Sequence, residues 1–465
     1  MHLPGHKGAL NCPPEAKVSE VPVPTWPPGS SRNTKQALLA ISSLAKESLP
    51  DAALRLLSSL RIGQGVEVNV FHHNAALNAF RRAKRWQDVL SLLGEMPESI
   101  VVPDASSYNT AISACDKTGQ WHLALSLLNV MPKLRVNPDL ISFNSAISAC
   151  ADRWPLALDL ARRSRLTPDV VTLNGVISAC DKGQEWQLAL CFLFGAEVNF
   201  RVRPDVISYN AAISSCSKGG RWQAALSLLG AMSLRRLAPN VISFSAAITS
   251  CEKGGQWQLA LVLLSHMEDA DVRPNQISYN SAISACEKAG HWEAALSILS
   301  QMRVRPDEIS FNACISACEK KGHWELALVL LGQMPQMRVK PGDISCSAVM
   351  SALEKGCQWE LALVLLGQMP QKAIMPGEIC FSAAISACEK GGQWERALSL
   401  LSDLRWMRLK PDEISCSSAI SACEKCGKWE LALLLLSEMP QMRLMPNEVS
   451  FGAAISACER AQALL

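Results

Sequence analysis

Residues 107–131 read SYNTAISACDKTGQWHLALSLLNVM and residues 278–302 read SYNSAISACEKAGHWEAALSILSQM, two copies of one phrase in a single chain. The phrase returns about every 35 residues, and a period of that length marks a stack of small supersecondary units rather than one large core. Cut so that each repeat ends at the residue after its late proline, the repeats are 70–104, 105–139, 140–169, 170–205, 206–240, 241–275, 276–307, 308–342, 343–377, 378–412 and 413–447. A weaker copy fills 35–69, and 448–465 holds part of a further one. The array is therefore expected to continue beyond Leu465 in a longer protein, because a solenoid needs a polar cap at its end.

Within repeat 206–240, Tyr209, Ala212, Ile213 and Cys216 fall on one helical face, and Gly219 and Gly220 end that helix. Trp222, Ala225, Leu226, Leu228, Leu229 and Met232 form a second apolar stripe, closed by a polar loop and Pro239. Helices of about 12 residues are marginal alone in water. Each stripe must be buried against its partner helix and the next repeat, so the fold class is an all-α solenoid of helix-turn-helix repeats.

Composition narrows the function. Lys+Arg 45 against Asp+Glu 42 leaves a formal charge of only +3, so nucleic acid would have to be held by locally placed groups rather than by net charge. The longest apolar runs, such as 431–436, are faces of short helices, and no membrane span is expected. Residues 1–34, with Pro13, Pro14, Pro22, Pro24, Pro27 and Pro28, read as a disordered lead-in. They fit neither a secretory signal nor an Arg- and Ser-rich transit peptide.

Two repeating residue types are assigned to packing. Tryptophans 86, 121, 154, 186, 222, 257, 292, 324, 359, 394 and 429 open each second helix, where a large ring serves as a wedge between helices. Cysteines 115, 150, 180, 216, 251, 286, 318, 388, 423 and 458 share one place on the first helix's apolar face. They read as small core residues in a reducing compartment, not as metal ligands or disulfides.

What packing does not claim are two polar places. The fifth residue of each repeat is Asn74, Asn109, Asn144, Asn174, Asn210, Ser245, Asn280, Asn312, Ser347, Ser382 or Ser417. The last is Asp104, Asp139, Asp169, Asp205, Asn240, Asn275, Asp307, Gly342, Gly377, Asp412 or Asn447. A plain account makes the last residue the N-cap of the following helix and lets the fifth satisfy backbone donors in the first turn. It leaves unexplained why the fifth place alternates only between Asn and Ser while neighbouring places are nearly invariant along the array. Amide, hydroxyl and carboxylate groups can each bond a Watson–Crick edge, so one such pair per repeat suits one base per repeat.

With its period, the opening VISYNAAIS at 206–214, the mid-repeat glycine, the Ala225-Leu226 pair and the terminal Pro-Asp or Pro-Asn, the chain resembles the pentatricopeptide repeat family over 70–458, and weakly over 35–69. The tetratricopeptide pattern places its tryptophan and proline differently and lacks the alternating Asn/Ser place. The resemblance implies a right-handed superhelix that binds single-stranded RNA 5′ to 3′ along the chain, one nucleotide per repeat. It implies that Asn with Asp selects U, Asn with Asn C or U, Ser with Asn A and Ser with Asp G, which gives 5′-UUUU(C/U)AUNNGA-3′. Each N falls where Gly342 or Gly377 has no side chain to offer, and the short repeats 140–169 and 276–307 are expected to disturb register.

The resemblance also places Ile141, Val171, Ile207, Ile242, Ile277, Ile309, Ile344, Ile379 and Ile414, at the second place, as residues that sandwich the bases. The alternative is a hydrophobic staple within each first helix. Arg82, Lys117, Lys182, Lys218, Lys253, Lys288, Lys320, Lys355, Lys390 and Lys425 close the first helices, where they either complement the helix dipole or track phosphates. Most follow an acid, as Lys253 follows Glu252, so a modest salt dependence is expected.

No catalytic constellation stands out. The Cys423-x-x-Cys426 pair has no His-x-Glu partner for a zinc deaminase, and no cluster of Asp outside the repeats suits Mg²⁺. His72 and His73 are read as surface or RNA-facing residues. The expectation is a non-enzymatic, cofactor-free and metal-free monomer with no small-molecule substrate, which can recruit other RNA-processing proteins. The resemblance implies organellar transcripts, in chloroplast or mitochondrion, and roles in processing, stability or translation. A solenoid scaffold for a protein or peptide is the alternative.

Overall fold

The computed structural model describes residues 31–63, 68–164, 166–372, 374–407, 409–442 and 444–464. Among them the chain is all-α: helices follow one another in pairs from Ser31–Lys46 and Pro50–Gly63 to Glu413–Lys425 and Trp429–Glu438, and Glu448–Leu464 follows alone. The first helix begins at Ser31, inside the segment that the sequence sets apart as a lead-in, because no proline after Pro28 interrupts the turn. Residues 1–30 lie outside the described residues.

The repeat sequence explains each pair. In Val206–Lys218, Tyr209, Ala212, Ile213 and Cys216 are at most 1% exposed. In Trp222–Leu234, Ala225, Leu228, Leu229 and Met232 are buried. Gly220, at φ +68°, takes the left-handed turn between the two helices. Proline-containing 3₁₀ turns at Met131–Leu134 and Met439–Met442 end other second helices, each with its methionine buried.

Two compact bodies result. Among the described residues, one comprises 31–183 with 191–203, the other 184–190 with 204–464. Within each, the first helices apart from Val170–Lys182 pack on their own second helices and on the first helix of the next repeat, which makes the core of each body continuous along its stack. The tryptophans sit at those junctions. A Cβ at Gly254 would collide with the indole of Trp222, so the mid-repeat glycine admits the ring from the preceding repeat. Cations cover some of these rings as well, as Arg221 does over Trp186 at 5.0 Å.

From Cys115 to Cys423 the cysteines at the shared place of the first helices are core residues, whereas Cys458 is only half-buried. Cys115, Cys216, Cys251, Cys286, Cys388 and Cys423 are fully buried, and burial pushes their thiols up to about 11. They stay protonated at neutral pH and are poor nucleophiles or ligands. One expectation is corrected: His72 and His73 are 1% and 4% exposed, not on the surface. They hold the third and fourth places, which face inward in most repeats, as at Ser208 and Tyr209, and His72 Nε2 lies 3.1 Å from the Thr34 carbonyl oxygen.

Candidate nucleic-acid interface

The last residue of each repeat has extended backbone and caps the next first helix. Asp139 (φ −98°, ψ 178°) precedes Leu140–Ala149, and its Oδ1 accepts from the Ser142 amide at 2.8 Å. Ser142 Oγ accepts from the Asp139 amide at 3.2 Å and lies 2.5 Å from Asn109 Oδ1, to which it donates. The Asn109 amide donates to Asp139 Oδ1 and Oδ2 at 3.0 and 3.1 Å. The fifth and last residues of one repeat, distant in sequence, are thus brought together by the third residue of the next.

The same meeting recurs along both bodies. Asn74 donates to Asp104 at 3.1 Å, Asn144 to Asp169 at 3.1 Å, Asn210 to Asn240 at 3.2 Å, and Asn280 to Asp307 at 3.1 Å. Ser245 reaches Asn275 at 3.3 Å. Asn174 stands on Val170–Lys182, and Asp205 caps Val206–Lys218 by accepting from the Ser208 amide at 2.9 Å. Repeats 140–169 and 276–307 keep their pairs although they are short. In repeat 140–169 both helices, Leu140–Ala149 and Trp154–Arg163, have 10 residues, and in repeat 276–307 the second, Trp292–Gln301, has 10.

Toward the C-terminus the pattern changes. Asn312 Oδ1 still accepts from Ser345 Oγ at 2.5 Å, but Gly342 and Gly377 contribute backbone alone. Ser347, Ser382 and Ser417 donate to carbonyls of their own helices at 3.0, 3.1 and 2.7 Å. Asp412 and Asn447 accept from the amides of Ser415 and Ser450 at 2.8 and 2.9 Å. The fifth-place bonds are thus not to the backbone donors that the plain account supposed: Asn74, Asn109, Asn144, Asn210, Asn280 and Asn312 bond side chains, Ser347, Ser382 and Ser417 bond carbonyls, and Ser245 does both.

Charge at the pair is held in place. For Asp104, Asp139 and Asp169 burial alone would raise the carboxyl pKa, but hydrogen bonds outweigh it and hold the group below the usual range. Those bonds come from the next repeat's third residue, from the paired asparagine and from the residue's own amide. At neutral pH each is a carboxylate and accepts only.

Flanking the pairs, the second-place side chains face out. Ile141, Val171, Ile207, Ile242, Ile277, Ile309, Ile344, Ile379 and Ile414 range from 60% (Val171) to 66% (Ile344) exposed, so they are not buried staples. The basic residues behave differently. Lys182 pairs with Asp152 at 3.1 Å, Lys288 with Glu252 at 2.9 Å, Lys320 with Glu287 at 2.8 Å and Lys355 with Glu319 at 3.0 Å. Lys390 and Lys425 pair with Glu354 and Glu389, both at 3.1 Å. Each pairs with the acid of the preceding repeat, not with its neighbour in sequence. Arg82, Lys117, Lys218 and Lys253 are exposed at the same place.

Sequence reasoning passed over the third place. Ser107, Ser142, Thr172, Ser208, Ser243, Ser278, Ser310, Ser345 and Ser415 are buried, and their recurrence as hydroxyls was the available signal. Among the described residues, no group of three or more His, Cys, Asp or Glu is arranged to hold a metal ion, and no helix is long and apolar enough to cross a membrane.

Family models of this repeat match along the chain. One described as "PPR repeat family" matches residues 103–152 and 204–253. "Pentatricopeptide repeat domain" matches 60–118 and 262–321, and "PPR repeat" matches 309–339, 379–409 and 414–444. Together they fall on more than half of the sequence. No curated protein matches the chain. Among solved structures it is similar to the pentatricopeptide repeat protein PPR10 from maize, with 19% identity over 93% of this chain and 77% of that one and a TM-score of 0.54, a likeness of fold. Lower scores relate it to PPR10 in complex with an 18-nt psaJ RNA element (17% identity, 94% and 84% covered, TM-score 0.39). Yeast Rmd9p in complex with 16-nt target RNA also matches (11% identity, 93% and 95% covered, TM-score 0.34).

Proposed function

This chain belongs to the pentatricopeptide repeat family, and from that premise we propose that it binds single-stranded RNA selectively by sequence, one nucleotide per repeat. The observation that carries the reading is the meeting of fifth and last side chains within one repeat, at 3.0 Å for Asn109 and Asp139, beside an outward-facing aliphatic residue at the second place.

The chemistry of base edges fits these pairs. U and G carry a ring N–H on the Watson–Crick edge, whereas C and A carry a ring nitrogen acceptor. A carboxylate accepts only, and so suits U or G; an asparagine amide can also donate, and so suits C or A. The fifth residue sets the reach, with Asn extending to a pyrimidine and Ser leaving room for a purine. Repeats 70–447 then specify 5′-UUUU(C/U)AUNNGA-3′. Repeats 140–169 and 276–307 keep their nucleotides, because their pairs remain in contact. Exposed Ile207 and its equivalents supply flat apolar surface between successive bases.

The mechanism is occupancy rather than catalysis. By covering about one nucleotide per repeat, the protein shields a transcript from nucleases, opens local structure and presents a surface to processing factors. We place the transcript in a chloroplast or mitochondrion. A fluorescent fusion of the full-length protein that stays outside both organelles would contradict that placement.

Binding of the purified chain to labelled 5′-UUUUCAUNNGA-3′, its scrambled version and the equivalent DNA, at two salt concentrations, tests the reading. Preference for the RNA by tenfold or more, about 1.4 kcal/mol, supports it. No RNA binding at low salt would overturn it in favour of a protein-binding scaffold.

A further inference from the structure

Repeats 308–342 and 343–377 lack a side chain at the last place, yet the space it would fill is not empty. A Cβ added to Gly342 would meet Glu308 Oε1 and lie 3.3 Å from that residue's carboxyl carbon. A Cβ added to Gly377 would lie 3.4 and 3.6 Å from the two carboxylate oxygens of Asp343. Glu308 and Asp343 are the first residues of these same repeats, so in each the carboxylate missing at the end is delivered from the beginning. Repeats such as 206–240 and 241–275 have valine at that first place, Val206 and Val241.

A contact at Asp343 and a contrast at Glu378 support substitution over chance proximity. In complete repeats the third residue of the next repeat turns its hydroxyl to the last-place side chain, as Ser142 Oγ does at 2.9 Å from Asp139 Oδ1. After repeat 343–377 that third residue is Cys380, and its Sγ lies 4.0 Å from Asp343 Oδ1. In repeat 378–412, where Asp412 fills the last place, the first-place Glu378 is engaged elsewhere: its Oε1 accepts from the Lys410 amide at 3.1 Å. Glu308 and Asp343 are both exposed to solvent.

We infer that Glu308 and Asp343 are base-selecting residues, which supply from the first place of their repeats the acceptor that Gly342 and Gly377 lack. The inference rests on the pairwise reading proposed above. With Asn312, the Glu308 carboxylate favours U at the eighth nucleotide; with Ser347, the Asp343 carboxylate favours G at the ninth, because each accepts from a ring N–H. The specified RNA becomes 5′-UUUU(C/U)AUUGGA-3′, with no fully indifferent position.

The test uses the full chain and RNAs of that sequence varied singly at the second, eighth and ninth nucleotides, with affinity read by fluorescence anisotropy. The wild type is expected to prefer U over C at the eighth and G over A at the ninth by tenfold or more. Glu308→Gln should abolish the first preference and leave the second, and Asp343→Asn should do the reverse, with helical content unchanged by circular dichroism. Discrimination at the second nucleotide but less than twofold at the eighth and ninth would overturn this inference alone. So would preferences that survive both substitutions. Loss of discrimination at the second nucleotide as well would mean that the pairwise reading itself had failed, and this inference with it.

Discussion

Repeats 70–104 and 343–377 end differently and fold alike. Asp104 caps Ala105–Lys117 through its side chain and meets Asn74 at 3.1 Å, whereas Gly377 caps Glu378–Lys390 with backbone only. Both capped helices run 13 residues, and the cap dihedrals are close: φ −99°, ψ 178° against φ −87°, ψ 176°. Glycine at an N-cap costs only a few tenths of a kcal/mol relative to the polar caps, about the difference such a helix tolerates. The fold therefore does not require the last-place side chain, and its presence in the other repeats calls for a reason outside the fold.

The largest expected effect is one that the two capped helices should share. Ile112 and Ile385 are both fully buried, and Ile112→Ala or Ile385→Ala should each cost about 2–5 kcal/mol, read by hydrogen exchange of the helix that carries it. A cost in only one helix would show that the repeats are not equivalent inside. The next substitution turns one repeat into the other. Asp104→Gly should cost under about 1 kcal/mol in stability. It should lower selectivity for U at the first nucleotide by about 1.5–3 kcal/mol, the range for hydrogen bonds to charged groups. A large loss of stability with selectivity intact would return the last place to plain capping.

Acid should separate the repeats further. Hydrogen bonds hold the Asp104 carboxyl pKa below its ordinary value despite burial, which opposes them. Its contribution is complete above the ordinary carboxyl range and fades as pH falls below about 4 and through the folded value. Exchange protection at the Ser107 amide should fall over that window. The Cys380 amide, which bonds the Gly377 carbonyl at 3.1 Å, should not follow it. Smallest is the lysine ladder. Lys288→Met removes an exposed pair with Glu252 and should change stability by about 0.2–1 kcal/mol. Because six of these ten cations are paired, the salt slope of RNA binding should be no steeper than about −3, where ten free cations would approach about −7.

The period, the helix pairs, the buried cysteines and the two polar places were legible because each is written in spacing along one helix. Tyr209, Ala212, Ile213 and Cys216 declare a face without reference to any other repeat. What was not legible lies between repeats. Lys320 looks paired with its neighbour Glu319 in sequence, but successive helical residues point apart, and its partner is Glu287 of the repeat before. His72 and His73 looked polar and exposed until stacking turned their places inward. The buried hydroxyl of Ser142, which ties Asn109 to Asp139, looked like a helix-start serine, since its partner is 33 residues away.

The central claim is that the paired fifth and last side chains choose the base, and it is tested most directly at the second nucleotide, where Asn109 and Asp139 meet. Affinities of the wild type and Asn109→Ser for four RNAs differing only there should show U preferred by the first protein and G by the second, with the change tenfold or more. An unchanged preference for U in Asn109→Ser, with the fold intact, would contradict the account.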